Sequence, residues 1–311
     1  MDIMLRPLAA ADLPAASRIN RAAFSAFFGI PDPATFRVDA DVIGPRLRLW
    51  PESGLALDLD GKLAAVGLMM RWGSVCVLGP VTVAPEYWSK GLARALMPKL
   101  LELVGRADFA FTGLFTHPQS PKHIRLYERY GFRMQRVTAV MAKPVAAVPA
   151  AARDFSRVPA AERAQLLAAA RELTDGIFPG LDVTAEIADL AAHGLGETLL
   201  LESGGRLDAL ALCHAGAGSE ASAGQVLVKF ATARGGKGAP ARFRRLLAAC
   251  EAFAALRGAA QLVAGTNTGR AEAYELMLNA GFRTTMNGIA MTRPGTDGYN
   301  RPEIFAIDDW R

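Results

Sequence analysis

Residues 89–93, Ser89-Lys90-Gly91-Leu92-Ala93, lie between an apolar, strand-like run and an amphipathic one carrying Leu92, Ala95, Leu96 and Leu100. The first amides of a helix lack intrahelical acceptors and carry the positive end of its dipole. Where small residues let a ligand come close, such a start suits an anion of the phosphate kind. Gly91 and Ala93 supply the smallness and Lys90 a charge. No Gly-Lys-Ser/Thr follows at nucleotide P-loop spacing, here or in "GGKGAP" at 235–240. Close packing of the helix on a strand explains the same small residues, so both readings stand on spacing alone. Cys76, Cys213 and Cys250 are odd in number and far apart, against a disulfide framework and against zinc ligation. No metal site is expected.

The elements around this stretch follow from periodicity and turn chemistry. Ile3–Pro7 reads as a strand and Ala10–Phe27 as a helix with Leu13, Ile19 and Phe24 on its spacing. "LALDLDGKLAAVGLMM" reads as a hairpin turned at Asp60-Gly61. "VCVLGPVTV" is a strand in which Pro80, unable to donate to a ladder, predicts a bulge. After the helix come the strand "FAFTGLFT", the helix "PKHIRLYERYG" and a strand from Phe132 to Met141. "KPVAAVPAAAR" at 143–153 has two prolines and no periodic face, which marks a linker. Beyond it a hairpin, strand, helix, strand, helix and strand recur. Lys237-Gly238 set against Lys90-Gly91 places Phe230 opposite Val83, and Gly281-Phe282 against Gly131-Phe132 places Thr266 opposite Thr116. Two anchors in the same chain order indicate internal duplication. The last apolar run, Ile304–Ile307 behind Pro302, reads as one more strand, pairing within its own half or crossing to the N-terminal sheet.

With 311 residues, two domains are expected. The basic excess sits in residues 1–145, with 18 Lys+Arg against 12 Asp+Glu, and is scattered there. The tightest cluster, Arg242, Arg244 and Arg245, falls on a helix beside Leu246 and Leu247 without interleaved aromatics. That describes a solvated helix face, and nucleic acid is not an expected partner. Mean hydropathy is +0.17, no run has the roughly 20 apolar residues of a membrane helix, and the start lacks a signal-peptide pattern. A reducing cytoplasm is the expected setting, without membrane association.

Taken in order, the hairpin, the bulged strand, Val83-x-Pro85-Glu86-Tyr87-x-x-Lys90-Gly91-x-Ala93 and Leu126-Tyr127-x-x-x-Gly131-Phe132 resemble the GCN5-related N-acetyltransferase (GNAT) superfamily. The resemblance covers nearly all of residues 1–145 and, more faintly, 155–295. It implies an α/β (α+β) protein of two tandem GNAT-like domains, each a mixed, mostly antiparallel central sheet flanked by helices. Residues 1–145 would be the active domain, 146–154 a linker, and 155–311 a second, degenerate domain. The family's acetyl-CoA motif falls on Trp88, Ser89, Lys90, Gly91, Leu92 and Ala93, whose amides would hold the pyrophosphate. The strand Val81-Thr82-Val83 would pair with the pantetheine arm through the backbone of Val81 and Val83. Tyr127 matches the tyrosine beside the thioester sulfur and would protonate the departing thiolate.

Two departures bear on the chemistry. Trp88 stands where the family prefers Arg or Gln, leaving an indole to stack or pack on the cofactor. The central strand lacks the family's frequent glutamate base, and His117, an imidazole titrating near neutrality, is the best substitute. In the second half Pro240 replaces Ala93 and Met277 replaces Tyr127. The resemblance therefore implies an acyltransferase moving acetyl from acetyl-CoA to a primary amine, small-molecule or peptide, by direct attack in a ternary complex. The alternative is a non-catalytic acyl-CoA-binding sensor or interaction scaffold.

Overall fold

In the computed structural model the described residues are 2–294 and 298–311; Met1 and 295–297, which fall within the two expected domains, lie outside them. β1 (Ile3–Pro7) leads into α1 (Leu13–Phe28), which stops at Gly29 in the left-handed conformation. α2 (Gly44–Leu49) precedes β2 (Gly54–Leu59) and β3 (Lys62–Trp72), whose turn residues Asp60 and Gly61 both have positive φ, 49° and 77°. β4 (Val75–Val83), α3 (Leu92–Gly105), β5 (Phe111–Thr116), α4 (Pro121–Glu128) and β6 (Arg133–Pro144) complete the first half. β6 runs three residues past Met141, because Ala142, Lys143 and Pro144 pair with the strand beside them.

The second half starts with β7 (Arg153–Asp154), α5 (Ala160–Asp175) and α6 (Thr184–His193). Neither helix is placed by the sequence reading. α5 buries Leu166, Ala170, Leu173 and Thr174, a helical stripe blurred in sequence by alanines on its other faces. β8 (Gly196–Ser203), β9 (Arg206–Ala215), β10 (Gln225–Ala233), α7 (Ala239–Leu256), β11 (Gln261–Asn267), α8 (Ala271–Asn279) and β12 (Arg283–Thr292) repeat the first half's order, and β13 (Ala306–Asp308) follows.

Among the described residues all thirteen strands form one sheet, in the order β1-β2-β3-β4-β5-β12-β6-β11-β10-β9-β8-β7, with β13 paired to β10. The halves exchange their equivalent strands. β12, from the second half, pairs with β5 of the first, and β6, from the first, pairs with β11 of the second. β6 and β12 also pair with each other, from Arg283 opposite Ala142 to Thr292 opposite Arg133. The final strand stays in its own half; the crossing is made by β6 and β12 instead.

Strand register also corrects the internal alignment. β4 pairs with parallel β5 from Val75↔Phe111 to Leu78↔Leu114, and β10 with β11 from Gln225↔Gln261 to Val228↔Ala264. Equivalent strand residues thus differ by 150, whereas Gly91 and Gly238 differ by 147. Phe230 corresponds to Pro80, not Val83, because the connection from β10 to α7 is three residues shorter.

Residues 1–145 expressed alone would expose the edges of β5 and β6 that β12 and β11 cover, and an unpaired edge promotes association. The fragment should be aggregated by size-exclusion chromatography; a monodisperse, folded 1–145 would show that the exchange is dispensable.

Candidate active site

β4 is where the first half opens. After Leu78 and Leu114 the parallel pair parts: Phe115 and Thr116 turn to β12, while β4 shifts register at Gly79-Pro80. The bulge expected at Pro80 is therefore present. The Ala84 amide donates to the Ala64 carbonyl at 2.9 Å. In an antiparallel pair hydrogen-bonded residues alternate, so Thr82 turns its backbone to β3 while Val81 and Val83 turn theirs away, into the wedge. Consistent with this, the Trp88 indole Nε1 donates to the Val83 carbonyl at 2.7 Å. Thr82 contributes a buried hydroxyl, without a hydrogen-bond partner among the described residues, rather than backbone groups.

Below the wedge lies the start of α3. Gly91 is its N-cap with φ 83°, and Ser89 is also left-handed at φ 65°. A Cβ at Gly91 would meet nothing within 4 Å. Helix–strand packing therefore does not explain this glycine; its backbone angle does, and the space beside it is free. The Trp88 amide donates to the Pro85 carbonyl at 3.1 Å and its indole to Val83, so neither N–H is free for an anion, which removes Trp88's amide from the expected cradle. Lys90 folds back with Nζ 5.0 Å from the centre of the Tyr87 ring.

The second half has the same wedge, and it is filled. β13 lies antiparallel along β10, with Phe230 opposite Asp308, Ala231 opposite Ile307 and Thr232 opposite Ala306. The Asp309 amide donates to the Lys229 carbonyl at 2.8 Å and the Ala233 amide to the Phe305 carbonyl at 3.0 Å. On its far side Thr266 Oγ1 donates to the Ala306 carbonyl at 3.0 Å, and Arg270 pairs with Asp308 at 2.7 Å. Among the described residues no strand enters the first wedge.

A sheet parted at a bulge above a left-handed helix start, built twice, can be compared with known proteins. A model of the acetyltransferase (GNAT) family matches residues 15–132. A putative acetyltransferase from Pyrococcus horikoshii superposes with a TM-score of 0.71 over 99% of this chain and 95% of its own, at 15% identity. A GCN5-related N-acetyltransferase from Sphaerobacter thermophilus gives 0.62 over 94% and 95%, at 19%. A tandem GNAT protein from the clavulanic acid biosynthesis pathway gives 0.60 over 94% and 99%, at 14%. No curated protein matches the sequence. The first half therefore carries a domain of the acetyltransferase (GNAT) family, and the chain as a whole shares the fold of a tandem GNAT protein. That half is accordingly an acetyltransferase domain, of a family that transfers acyl groups.

In this domain the two side chains expected to act on protons sit on successive elements. His117 follows β5 and is 7% exposed, ringed by Phe27 at 4.9 Å, Phe28 at 5.2 Å, Phe115 at 5.6 Å and Phe24 at 6.3 Å between ring centres. Burial first, then His123 and Arg311 nearby, push its pKa down to about 4. The expectation of an imidazole titrating near neutrality is thereby corrected. His117 is neutral at pH 7 and a weaker base than free imidazole, and its Nδ1 is buried without a partner among the described residues. His123 stacks on the same Phe27 at 5.2 Å, and Tyr127 follows four residues later on that face of α4. Burial pushes the Tyr127 hydroxyl up to about 12, so it is protonated at neutral pH.

The sequence reading missed a second group. Arg46 on α2 donates to Glu220 Oε2 at 3.1 Å, to the Gly79 carbonyl at the bulge at 3.0 Å, and to the Arg311 carbonyl. Lys229 donates to the same Glu220 oxygen at 2.9 Å. These residues are scattered from 46 to 311 and share no spacing that could have found them. Among the described residues no helix is long and apolar enough to cross a membrane.

The His117 shift makes stability depend on pH. The unfolded chain takes a proton there near 6.5, the folded chain only near 4, so acid destabilises the fold across that window. His117→Gln removes this cost. Measured at each pH, the variant's Tm should rise relative to wild type as pH falls from 6.5 toward 4. A difference that stays constant from pH 7 to 4.5 would mean that the imidazole titrates normally.

Proposed function

We propose that the chain transfers the acetyl group of acetyl-CoA to a primary amine by direct attack in a ternary complex, using the first half alone. The observation that carries this reading is the contrast between two equivalent wedges, one occupied by β13 and one open. In the open wedge the backbone groups of Val81 and Val83 pair with the pantetheine arm as a strand would. The amides of Ser89, Lys90, Gly91, Leu92 and Ala93 take the pyrophosphate, since first-turn amides lack internal acceptors. Trp88 packs its indole along the arm; to admit a further donor it must yield the Val83 carbonyl. Residues 1–145 carry the reaction, 146–154 link, and 155–311 form the degenerate partner.

The amine nitrogen attacks the thioester carbon. A C–N bond forms, the C–S bond breaks, the amine gives up a proton and the thiolate gains one. Backbone amides of β4 stabilise the oxyanion. Tyr127, protonated at neutral pH, donates a hydrogen bond to the leaving sulfur; because its pKa exceeds a thiol's ordinary ~8.5, outright transfer is uphill. His117 accepts a hydrogen bond from the amine or its water and orients it. The second reading, a non-catalytic acyl-CoA sensor, draws on Trp88 occupying the Val83 carbonyl and on the weak basicity of His117. Thiol release from acetyl-CoA with an amine panel separates the two.

Calorimetry should give one tight equivalent of acetyl-CoA per chain. Gly91→Val should weaken it at least about tenfold, with thermal unfolding run alongside because a left-handed valine costs roughly 1–2 kcal/mol. A second tight equivalent would show that β13 is displaced and that the halves are equal. Tyr127→Phe should lower kcat about 10²-fold, the low end for proton-transfer groups, with KM for acetyl-CoA nearly constant; an unchanged kcat makes Tyr127 a packing residue.

A further inference from the structure

The loop between α1 and α2 is fastened to the second half. Asp41 N donates to the Ser219 carbonyl at 2.8 Å, Gly218 N to Asp39 at 2.9 Å and Ala223 N to Val38 at 2.9 Å. Arg37 in this loop has φ 48°, a left-handed conformation that an arginine adopts at some cost. So held, its guanidinium donates to the Glu220 carbonyl at 2.7 Å. Among the described residues it has no carboxylate within ion-pair distance.

The carboxylates nearby are already taken. Glu220 is shared by Arg46 and Lys229, and Asp309 is bound by Arg311. The charges that act on Arg37 are Arg311 and Arg46, repelling, and Glu220 and Asp309, attracting. Arg37, Arg46, Lys229 and Arg311 thus face two committed carboxylates. Glu186, the remaining acid beside Lys229, is buried and pushed up to about 7, so it adds at most part of a charge near neutrality. A half-buried guanidinium with no carboxylate of its own has donors left for a further anion.

The neighbouring wall is apolar. Phe36, next in sequence to Arg37, lies 6.5 Å from Phe24 and 5.9 Å from Phe28, and both of those rings close on His117. His117 is itself buried, with Nδ1 lacking a partner among the described residues. Arg46 ties the cationic group to the β4 bulge through the Gly79 carbonyl. A guanidinium with no carboxylate of its own, an aromatic wall and an unpartnered imidazole thus adjoin one another, beside the Arg46 group that reaches the β4 bulge.

We infer that the acceptor is an amino acid or a compound like one: an amine that also carries a carboxylate, bound by the Arg37 guanidinium, with an apolar body against the phenylalanines. This rests on the acetyl-transfer reading above. Beyond its bond to the Glu220 carbonyl the Arg37 guanidinium keeps further N–H donors, and its planar fork suits a carboxylate.

The test pairs amino acids with amines that lack only the carboxylate, such as phenylalanine with phenethylamine, and follows thiol release from acetyl-CoA. At least one acid should exceed its partner amine about tenfold or more in kcat/KM. Arg37→Gln should lower kcat/KM for that acid about 10- to 100-fold, mainly through KM, the size expected for a charged hydrogen bond of about 1.5–3 kcal/mol. The acid-to-amine ratio should shrink toward one, and Arg37→Lys should recover part of it. Calorimetry with acetyl-CoA and thermal unfolding of each variant accompany the assay. Plain amines used as well as or better than the acids, no acid used at all, or Arg37→Gln lowering both members of a pair equally would overturn the assignment. Failure to bind acetyl-CoA would instead sink the transfer reading beneath it.

Discussion

Between Arg133 and Pro144 the chain hydrogen-bonds on one side to β12 and on the other to β11, both from the other half of the sequence. β12 in turn lies between β6 and β5. Each half thus completes its partner's sheet, and neither β5 nor β11 is left as an open edge. A single sheet results, and the two wedges sit on either side of the exchanged pair. The relative placement of the halves is set by backbone ladders rather than by a side-chain interface alone.

The exchange also reaches the His117 pocket. A Cβ at Gly288 of β12 would lie 1.9 Å from ring atoms of Phe115, so glycine there lets the ring lie against the incoming strand. Phe115 is one wall of the His117 pocket. Gly113, two residues earlier on the same face of β5, leaves room in the same way for Trp310, whose ring meets Phe111 edge-to-face and Tyr299 at a tilt. Loop 38–41 is tied to 218–223 as well. The second half therefore packs against the His117 pocket and fastens the loop beside it.

Much of this was legible where the physics is local. Asp60-Gly61 requires positive φ, Pro80 forbids a ladder bond, and the 3.6-residue stripe of α3 appears directly in its letters. The helix start at Gly91 could be located but not interpreted, since close packing and ligand approach call for the same small residue; only the empty space around its Cβ separates them. His117 was placed correctly after its strand, yet its protonation depends on rings from α1 some 90 residues away. The strand exchange left no trace in the sequence, because β6 and β12 have the same pattern in either pairing. The Arg46–Glu220–Lys229 group was invisible for a related reason: buried charges find partners through the fold, not through spacing.

The two wedges pose one physical problem and receive different solutions. Where β4 or β10 parts from its parallel neighbour, backbone donors and acceptors are left facing a gap, and buried groups of that kind must be paired. In the second half β13 pairs them, its Asp308 side chain holds Arg270, and the Asp309 amide just after it donates to the Lys229 carbonyl. In the first half the Val83 carbonyl receives the Trp88 indole, and no peptide strand is present among the described residues. A segment that bears amides can satisfy such a gap, as the peptide of β13 does in the second half. The duplicated fold has thus closed one gap with its own backbone, while in the other the Trp88 indole alone meets the Val83 carbonyl among the described residues.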